Sequence, residues 1–387
     1  TNPVILRSAE AEPPGFWAPV PSVAARSEAL SSPARRLGWM GPGFTAVRLA
    51  LGWRCLDGRL LLGHRPSRGR TLDAMATATH LTHTTPSAVA GSSARGWSAI
   101  GAYVALTKPR IIELLLIETV PVMIVAQRGL PSIWLMVATV VGGTLSAGGA
   151  NAVNMFIDRD IDAKMKRTAN RPLVTGAVTP RNALIFALTI EVVAVTLLWF
   201  AVNPLSAMLA FASFAFYVGV YSMWLKRRYS SNIVIGGAAG AGPVLIGWAA
   251  VTGSLGWAPW LLFLLIFLWT PPHFWALAVK YREDYASVNV PMLPSVTTLN
   301  VTARKILAYT LALVVVSLVL APVADLGWIY MGAALISGGV FIWSALAVLR
   351  TPTPAAAMRL FGWSITYITV LFGAMAVDQL AGLGWPW

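Results

Sequence analysis

The sequence predicts an all-α polytopic membrane protein, and three observations carry that prediction. Hydrophobic residues make up 57% of the chain and charged residues only 11%, with a mean hydropathy of +0.67, the balance of a chain solvated largely by lipid. From Thr107 onward the apolar residues divide into segments of about 17–25 residues, the length a helix needs to cross a bilayer. The positive charges of that region fall almost wholly on alternate connections between the segments, as membrane topology requires. These basic loops also account for the net charge of +14. A nucleic-acid role is not needed to explain it, because the basic runs lack interleaved aromatic residues. The single cysteine, Cys55, excludes an internal disulfide and a cysteine-based metal cluster.

The chain divides at about residue 98. Residues 1–98 hold eleven Arg, no Lys and five acids, with many Pro, Ser and Ala and no apolar run of spanning length. That composition is expected to be disordered. An Arg-rich, acid-poor leader fits either an organelle transit peptide or translated upstream sequence, and the second is favoured, with Met75 as the native start. Residues 99–387 form the intramembrane domain.

Nine spans are expected: 110–127, 132–155, 181–201, 204–224, 232–252, 257–280, 304–323, 328–349 and 357–379. Basic residues set their orientation. Lys108 and Arg110 precede the first span. Arg159, Lys164, Lys166, Arg167, Arg171 and Arg181 follow the second, and Lys226, Arg227 and Arg228 follow the fourth. Lys280, Arg282, Arg304 and Lys305 bracket the loop after the sixth, and Arg350 and Arg359 the loop after the eighth. Only Arg128 lies on the opposite side, so the first side is cytoplasmic. The N-terminus is then cytoplasmic and the C-terminus, near Asp378, is outside. Two cytoplasmic loops are long, 156–180 and 281–303; the rest are short hairpins between antiparallel neighbours.

The chemistry concentrates in NAVNMFIDRDIDAKMKRTANRP, 151–172. Asn151, Asn154, Asp158 and Asp162 are spaced three, four and four apart, which stacks their side chains on one helical face, while Asp160 points away. Carboxylates at the end of an apolar span are costly unless paired or metal-bound. Two carboxylates and an amide oxygen suit Mg²⁺, which takes hard oxygen ligands and leaves positions for water and phosphate. Arg167 and Arg171 follow, and guanidinium matches phosphate oxygens with paired donors. The alternative is a cytoplasmic loop whose charges are merely solvated, but such a loop has no reason to keep polar groups on one face. The order N-x-x-x-D-x-x-x-D followed by R-T-x-x-R-P resembles the first aspartate-rich motif of the intramembrane polyprenyltransferases.

A second constellation is WTPPHFWALAVKYREDYASVNVPMLP, 269–294. Pro271 and Pro272 interrupt the sixth span and free backbone carbonyls. His273 follows, and imidazole there reads either as a structural side chain bonded to a freed carbonyl or as a heme ligand. Lys280 and Asp284 are four apart, so Asp284 is a candidate ligand for a second Mg²⁺ while Lys280 meets phosphate. This stretch, LTKPRIIELLL at 106–116 and YSMWLKRRYSSNIVIGGAAGAGPVLIGW at 221–248 resemble the heme O synthases (protoheme IX farnesyltransferases), and the similarity covers roughly 105–380. Val290 after Asn289 departs from that pattern without touching a proposed ligand.

The resemblance implies a helical fold around a central cavity open to the cytoplasmic side. It implies Mg²⁺ on Asn154, Asp158, Asp162 and Asp284; farnesyl diphosphate held by Arg167, Arg171, Tyr221, Lys226 and Lys280; and heme b met by His273. Covalent heme attachment is excluded, since there is no C-x-x-C-H. The implied setting is a bacterial plasma membrane (alternatively a mitochondrial inner membrane), with a heme A synthase or oxidase-assembly protein as candidate recipient of the product. Glu113 either pairs with Lys108 and Arg110 or functions; Glu118 reads as paired or facing a water-filled cavity. Arg227 and Arg228 read as topology markers, and the Gly/Ala run 236–242 as a close-packing surface before a cavity lining. Competing readings are prenyl transfer to a quinone precursor or chlorophyllide, and a transporter, which would hold its acids nearer the midplane.

Overall fold

A computed structural model describes residues 98–382, without the side chains of residues 110–117. The expectations for residues 1–97, Met75 among them, and for the side chain of Glu113 fall outside that description. Every regular element among the described residues is helical. A short helix, α1 (Ala99–Thr107), leads into α2 (Pro109–Gln127), α3 (Ile133–Ile157) and the single turn α4 (Arg159–Asp162). After the long loop come α5 (Pro180–Ala201) and α6 (Pro204–Ala215), the latter continued by a π-helical segment, Phe216–Leu225. Next are α7 (Asn232–Gly240), α8 (Gly242–Thr252) and α9 (Trp257–Lys280), then two short loop helices, α10 (Arg282–Ser287) and α11 (Leu293–Val296). Three long helices close the chain: α12 (Leu299–Val323), α13 (Trp328–Arg350) and α14 (Pro354–Leu380).

Eight helical stretches are long and apolar enough to cross a membrane: α3, α5, α6 through Leu225, α7 with α8, α9, α12, α13 and α14. The protein is therefore an integral membrane protein. The first of the nine expected spans does form a helix, α2, but its 19 residues include Arg110, Glu113 and Glu118, so it is more polar than the other eight. Two spans depart from regular α-helix. The fifth breaks at Ala241 between Gly240 and Gly242, and the second half of the fourth is π-helical. The sixth does the opposite: α9 continues through Pro271 and Pro272 without a break.

Local sequence explains the boundaries. Thr179, Asn203 and Thr353 each accept a hydrogen bond from the backbone N–H three residues on, and each is followed by proline at the first helical position. That pairing satisfies one orphan donor and fixes the first φ. Small residues set the closest approach. A Cβ on Gly142 would lie 2.5 Å from Leu198 Cγ, and one on Gly149 3.0 Å from the carbonyl oxygen of Ala187, so α3 and α5 pack nearly backbone to backbone, as membrane helices do where van der Waals contact replaces the hydrophobic effect. The bundle closes where α2, near the start of the described chain, packs on α14 at its end. The largest buried cluster joins α9 to α12, α13 and α14 through Trp275, Tyr330, Phe341, Tyr367 and Phe372.

Candidate active site

A cavity of about 550 Å³ lies inside this bundle, lined by α2, α3, α6 with its π-helical continuation, α7, α8, α9 and α14. One end is charged. There α3 delivers Asn151 and Asn154 and α4 delivers Asp162, while Asp158, at the end of α3, is buried and bonded to Asn154 and Lys226, which line the cavity. The helix proper ends at Ile157 with Asp158 as its cap, yet the N–H of Asp162 still bonds the carbonyl of Asp158 at 2.8 Å. The helical register therefore persists, and all four side chains are buried. Asp160 faces outward with more than half its side chain exposed. The one-face reading of the sequence holds.

The basic partners come from three other segments. Lys226 Nζ forms an ion pair with Asp158 Oδ2, and Arg171 Nη1 pairs with Asp162 Oδ2. Asn154 Nδ2 donates to Asp158 Oδ2 at 2.8 Å and to Ser222 Oγ at 3.1 Å, while its Oδ1 accepts from Lys108 Nζ at 3.1 Å. Arg167 lies over the rings of Tyr281 and Tyr285 and donates to the Tyr285 hydroxyl at 3.4 Å. The thread linking these groups is the π-helical segment. Its i→i+5 bonds, such as Lys226 N–H to the Tyr221 carbonyl at 2.9 Å, stack residues five apart. Tyr221 thus lies beneath Lys226, five positions on, at 5.9 Å, and it also packs against Tyr217, four positions back, at a centroid distance of 5.2 Å. Gly236 of α7 leaves room for it, since a Cβ there would come within 2.4 Å of the Tyr221 ring.

The sequence points to Lys108 as a topology-setting charge and a possible partner of Glu113, whereas in the structure it lines the cavity. Burial, and then the charges of Arg171 and Lys226, pull its amine from the usual lysine value down to about 7. An anion placed between these three cations would relieve that repulsion. Arg227 also does more than mark topology. It holds both oxygens of Asp160, at 2.6 and 2.8 Å, and the Ile157 carbonyl at 2.9 Å. The available signal for Lys108 was its place just before Pro109, which starts a helix and leaves the lysine in a left-handed turn at φ 55°.

Of the expected Mg²⁺ donors, Asp158 and Asp162 supply the carboxylate oxygens that suit the ion. Asp158 Oδ1 is buried without a hydrogen bond, facing only Arg227 Nη2 at 3.6 Å, and hard carboxylate oxygens suit that ion. Asn154 fits less directly, because its amide oxygen is turned to Lys108. Lys280 and Asp284 are not brought together with this cluster. The helix stops at Lys280, whose amine is exposed over the Tyr281 ring, and Asp284 sits on the separate helix α10. Neither lines the cavity, although Tyr285 does. Among the described residues no group of three His, Cys, Asp or Glu side chains is placed to hold a metal.

His273 lines the wall of the same cavity. Its ring is stacked between Trp269 (centroids 4.3 Å apart) and Phe361 (4.5 Å), with Phe274 edge-on at 5.1 Å. It bonds no proline-freed carbonyl. Instead Nδ1 lies 2.7 Å from Ser364 Oγ, and that hydroxyl donates its own hydrogen to the Phe361 carbonyl at 2.7 Å. Ser364 Oγ is left as an acceptor, so Nδ1 carries the proton and Nε2 keeps its lone pair. The Ser364 carbonyl accepts from Trp269 Nε1 at 2.8 Å, locking both rings to α14. The Gly/Ala run serves two purposes at once: Gly237 and Gly242 touch Thr270 and Ser213, while Gly236, Gly237 and Gly240 line the cavity.

An acid–base cluster at the charged end of an apolar, helix-lined chamber is the arrangement the polyprenyltransferase resemblance implies, and residues 115–370 match the model of the UbiA prenyltransferase family. The chain belongs to that family. Within UbiA proteins it is similar to the protoheme IX farnesyltransferase of Streptomyces coelicolor, 55% identical over 285 residues covering 72% of this chain and 90% of that protein. The protein of the same name from Streptomyces avermitilis is 54% identical over 297 residues, covering 74% and 97%. Among solved structures, digeranylgeranylglyceryl phosphate synthase superposes with a TM-score of 0.62 at 17% identity, covering 73% of this chain and 99% of that one. A UbiA homologue from Aeropyrum pernix superposes with a TM-score of 0.56 at 20% identity, covering 70% and 98%. These two share the UbiA fold. The resemblance to protoheme IX farnesyltransferases stated from the motifs therefore extends through the membrane domain.

Proposed function

We propose that this chain transfers the farnesyl group of farnesyl diphosphate to a vinyl group of heme b, with addition of water, giving heme O. The observation that carries the reading is that one cavity holds both a cationic, carboxylate-bearing end and, on its wall, an imidazole whose Nε2 is free to meet iron. The names of the relatives point the same way.

Diphosphate binds at the charged end, where Lys108, Arg167, Arg171 and Lys226 donate to its oxygens. Asp158 and Asp162, with Asn154 beside them, are the residues that would hold Mg²⁺, which supplies positive charge to the leaving diphosphate. Lys280, at the end of α9, and Asp284, on α10, do not line the cavity and are assigned no contact with the diphosphate. The apolar and aromatic walls, Tyr217, Tyr221 and Trp269 among them, exclude bulk water, and their π-faces favour the allylic cation formed as the C1–O bond breaks. His273, fixed by Ser364, orients the heme so that its vinyl carbon faces that cation.

The positively charged side, which includes this end of the cavity, is cytoplasmic in this reading, and the bacterial relatives favour a plasma membrane. Incubating the purified chain with heme b, farnesyl diphosphate and Mg²⁺ and analysing the extracted hemes by mass tests the reading. A heme heavier by one farnesyl and one hydroxyl group is expected; heme b recovered unchanged, by a preparation that binds both substrates, rejects it.

A further inference from the structure

Among the described residues Glu118 is the one acidic side chain lining the cavity with no role so far. It lies ten positions beyond Lys108 on α2, about 15 Å along the helix axis from the diphosphate end. It is 1% exposed, it lines the cavity, and its Oε2 has no hydrogen-bond partner. A carboxyl group held so deep without a partner is costly, and the cost is met when a ligand or a water occupies the space it faces. Thr144 and Ser146 of the adjacent helix α3 line the same cavity. The other carboxylate lining the cavity among the described residues, Asp162, is paired with Arg171.

We infer that Glu118 is a catalytic residue: it binds the water that ends the reaction and accepts its proton. The inference rests on the heme farnesylation reading above. In that reaction the C1–O bond breaks with its electron pair leaving on the diphosphate, and the vinyl π-electrons form the new bond to farnesyl C1. The vinyl carbon next to the porphyrin ring is then the cation. The water oxygen donates a lone pair to that carbon, and one water proton passes to the Glu118 carboxylate, leaving a neutral hydroxyethylfarnesyl group and a protonated Glu118. No oxidant or reductant is needed. Without a base-held water the same cation loses a proton from its neighbouring carbon and becomes an alkene, lighter than the alcohol by one water.

The test uses the full chain, heme b, farnesyl diphosphate and Mg²⁺ in ¹⁸O-labelled water, with the alcohol-to-alkene ratio of farnesylated hemes read by mass spectrometry. The wild type is expected to give labelled alcohol. Glu118→Gln is expected to lower the alcohol-to-alkene ratio at least tenfold while binding a non-hydrolysable farnesyl diphosphate analogue as the wild type does. Should Glu118→Gln fail to bind that analogue, Glu118→Ser, polar but without a base, is read by the same ratio. A wild-type ratio in the variant, or loss of both products while both substrates still bind, overturns the role of Glu118 alone. Absence of any farnesylated heme from the wild type overturns the functional reading itself.

Discussion

Lys226 and Asp158, 68 positions apart, form an ion pair that ties the end of the π-helical segment to the end of α3, with the Asp158 side chain fully buried. Lys226 and Asn154 both bind one oxygen of that carboxylate, and the other has no hydrogen bond. Of the pair only Lys226 lines the cavity; Asp158 is buried beside it, its second oxygen 3.6 Å from Arg227 Nη2, and holds Lys226 and Asn154 in place there. Asp158→Asn keeps the shape but removes the charge. Turnover is expected to fall by about 100-fold or more, the scale of losing one group that stabilises developing charge, measured as farnesylated heme formed per minute by protein that still inserts in membranes. Near-normal turnover would remove Asp158 from the site.

Lys108 gives a second prediction. It is the only one of the three clustered cations bonded to an amide rather than a carboxylate, so its charge is the least compensated. Lys108→Met is expected to weaken binding of a farnesyl diphosphate analogue about tenfold, the scale of one charge-assisted hydrogen bond, and to leave heme binding unchanged. Titration calorimetry with the two ligands separately decides it; equal affinity for the analogue would leave Lys108 as a helix-start residue only.

The contrast between these two residues shows what the sequence could reveal. The spacing of Asn151, Asn154, Asp158 and Asp162 encodes a helical face, and the structure keeps that face although the helix formally ends at Ile157. Hydropathy located the spans because each must satisfy its backbone internally. The π-helical segment, which aligns Tyr221 with Lys226, has no simple sequence period, and the break at Ala241 is hidden inside a uniformly apolar run. Ser364 could not be found from sequence, because its link to His273 crosses 91 positions and depends on how α14 packs on α9. Asp284 shows the converse: i, i+4 spacing from Lys280 suggested a shared face, but the helix stops between them.

Asp160 and Arg227 yield a pH prediction. The Arg227 guanidinium, by hydrogen bonding first, lowers the Asp160 carboxyl to about 2 from an ordinary 3.8. A carboxylate with a depressed folded-state value stabilises the fold above the unfolded value, and that contribution disappears as pH falls towards the folded one. The difference in thermal midpoint between wild type and Asp160→Asn in detergent is therefore expected to be small and constant above about pH 4 and to vanish between pH 4 and 2. Turnover of Asp160→Asn should stay close to wild type, because the side chain faces away from the cavity. A loss as large as that of Asp158→Asn would contradict the helical-face assignment.

Asp378 tests the far end of the bundle. Although it lies near the end of α14, it caps the start of α13 from 51 positions away, accepting from the backbone N–H groups of Gly327, Ile329 (3.0 Å) and Tyr330 (3.4 Å). Those donors are orphans of the first helical turn. Asp378→Ala is expected to cost about 1–2 kcal/mol, the scale of a lost cap, seen as a lower thermal midpoint with substrate affinities unchanged. A midpoint equal to wild type would show that water replaces the carboxylate there.

In the proposed reaction one cavity serves two ligands at two places, diphosphate at the end that Lys226 and its partner Asp158 form and heme at His273. Binding of heme b and of a farnesyl diphosphate analogue, each measured separately on His273→Ala and Asp158→Asn, tests it most directly. His273→Ala should lose heme affinity or shift the heme absorption spectrum while binding the analogue with Mg²⁺ as the wild type does, because a neutral imidazole ligates iron but adds little to a metal–diphosphate cluster. Asp158→Asn should do the reverse. Normal heme affinity and an unchanged spectrum in His273→Ala, or parallel loss of both ligands in both variants, would contradict the account.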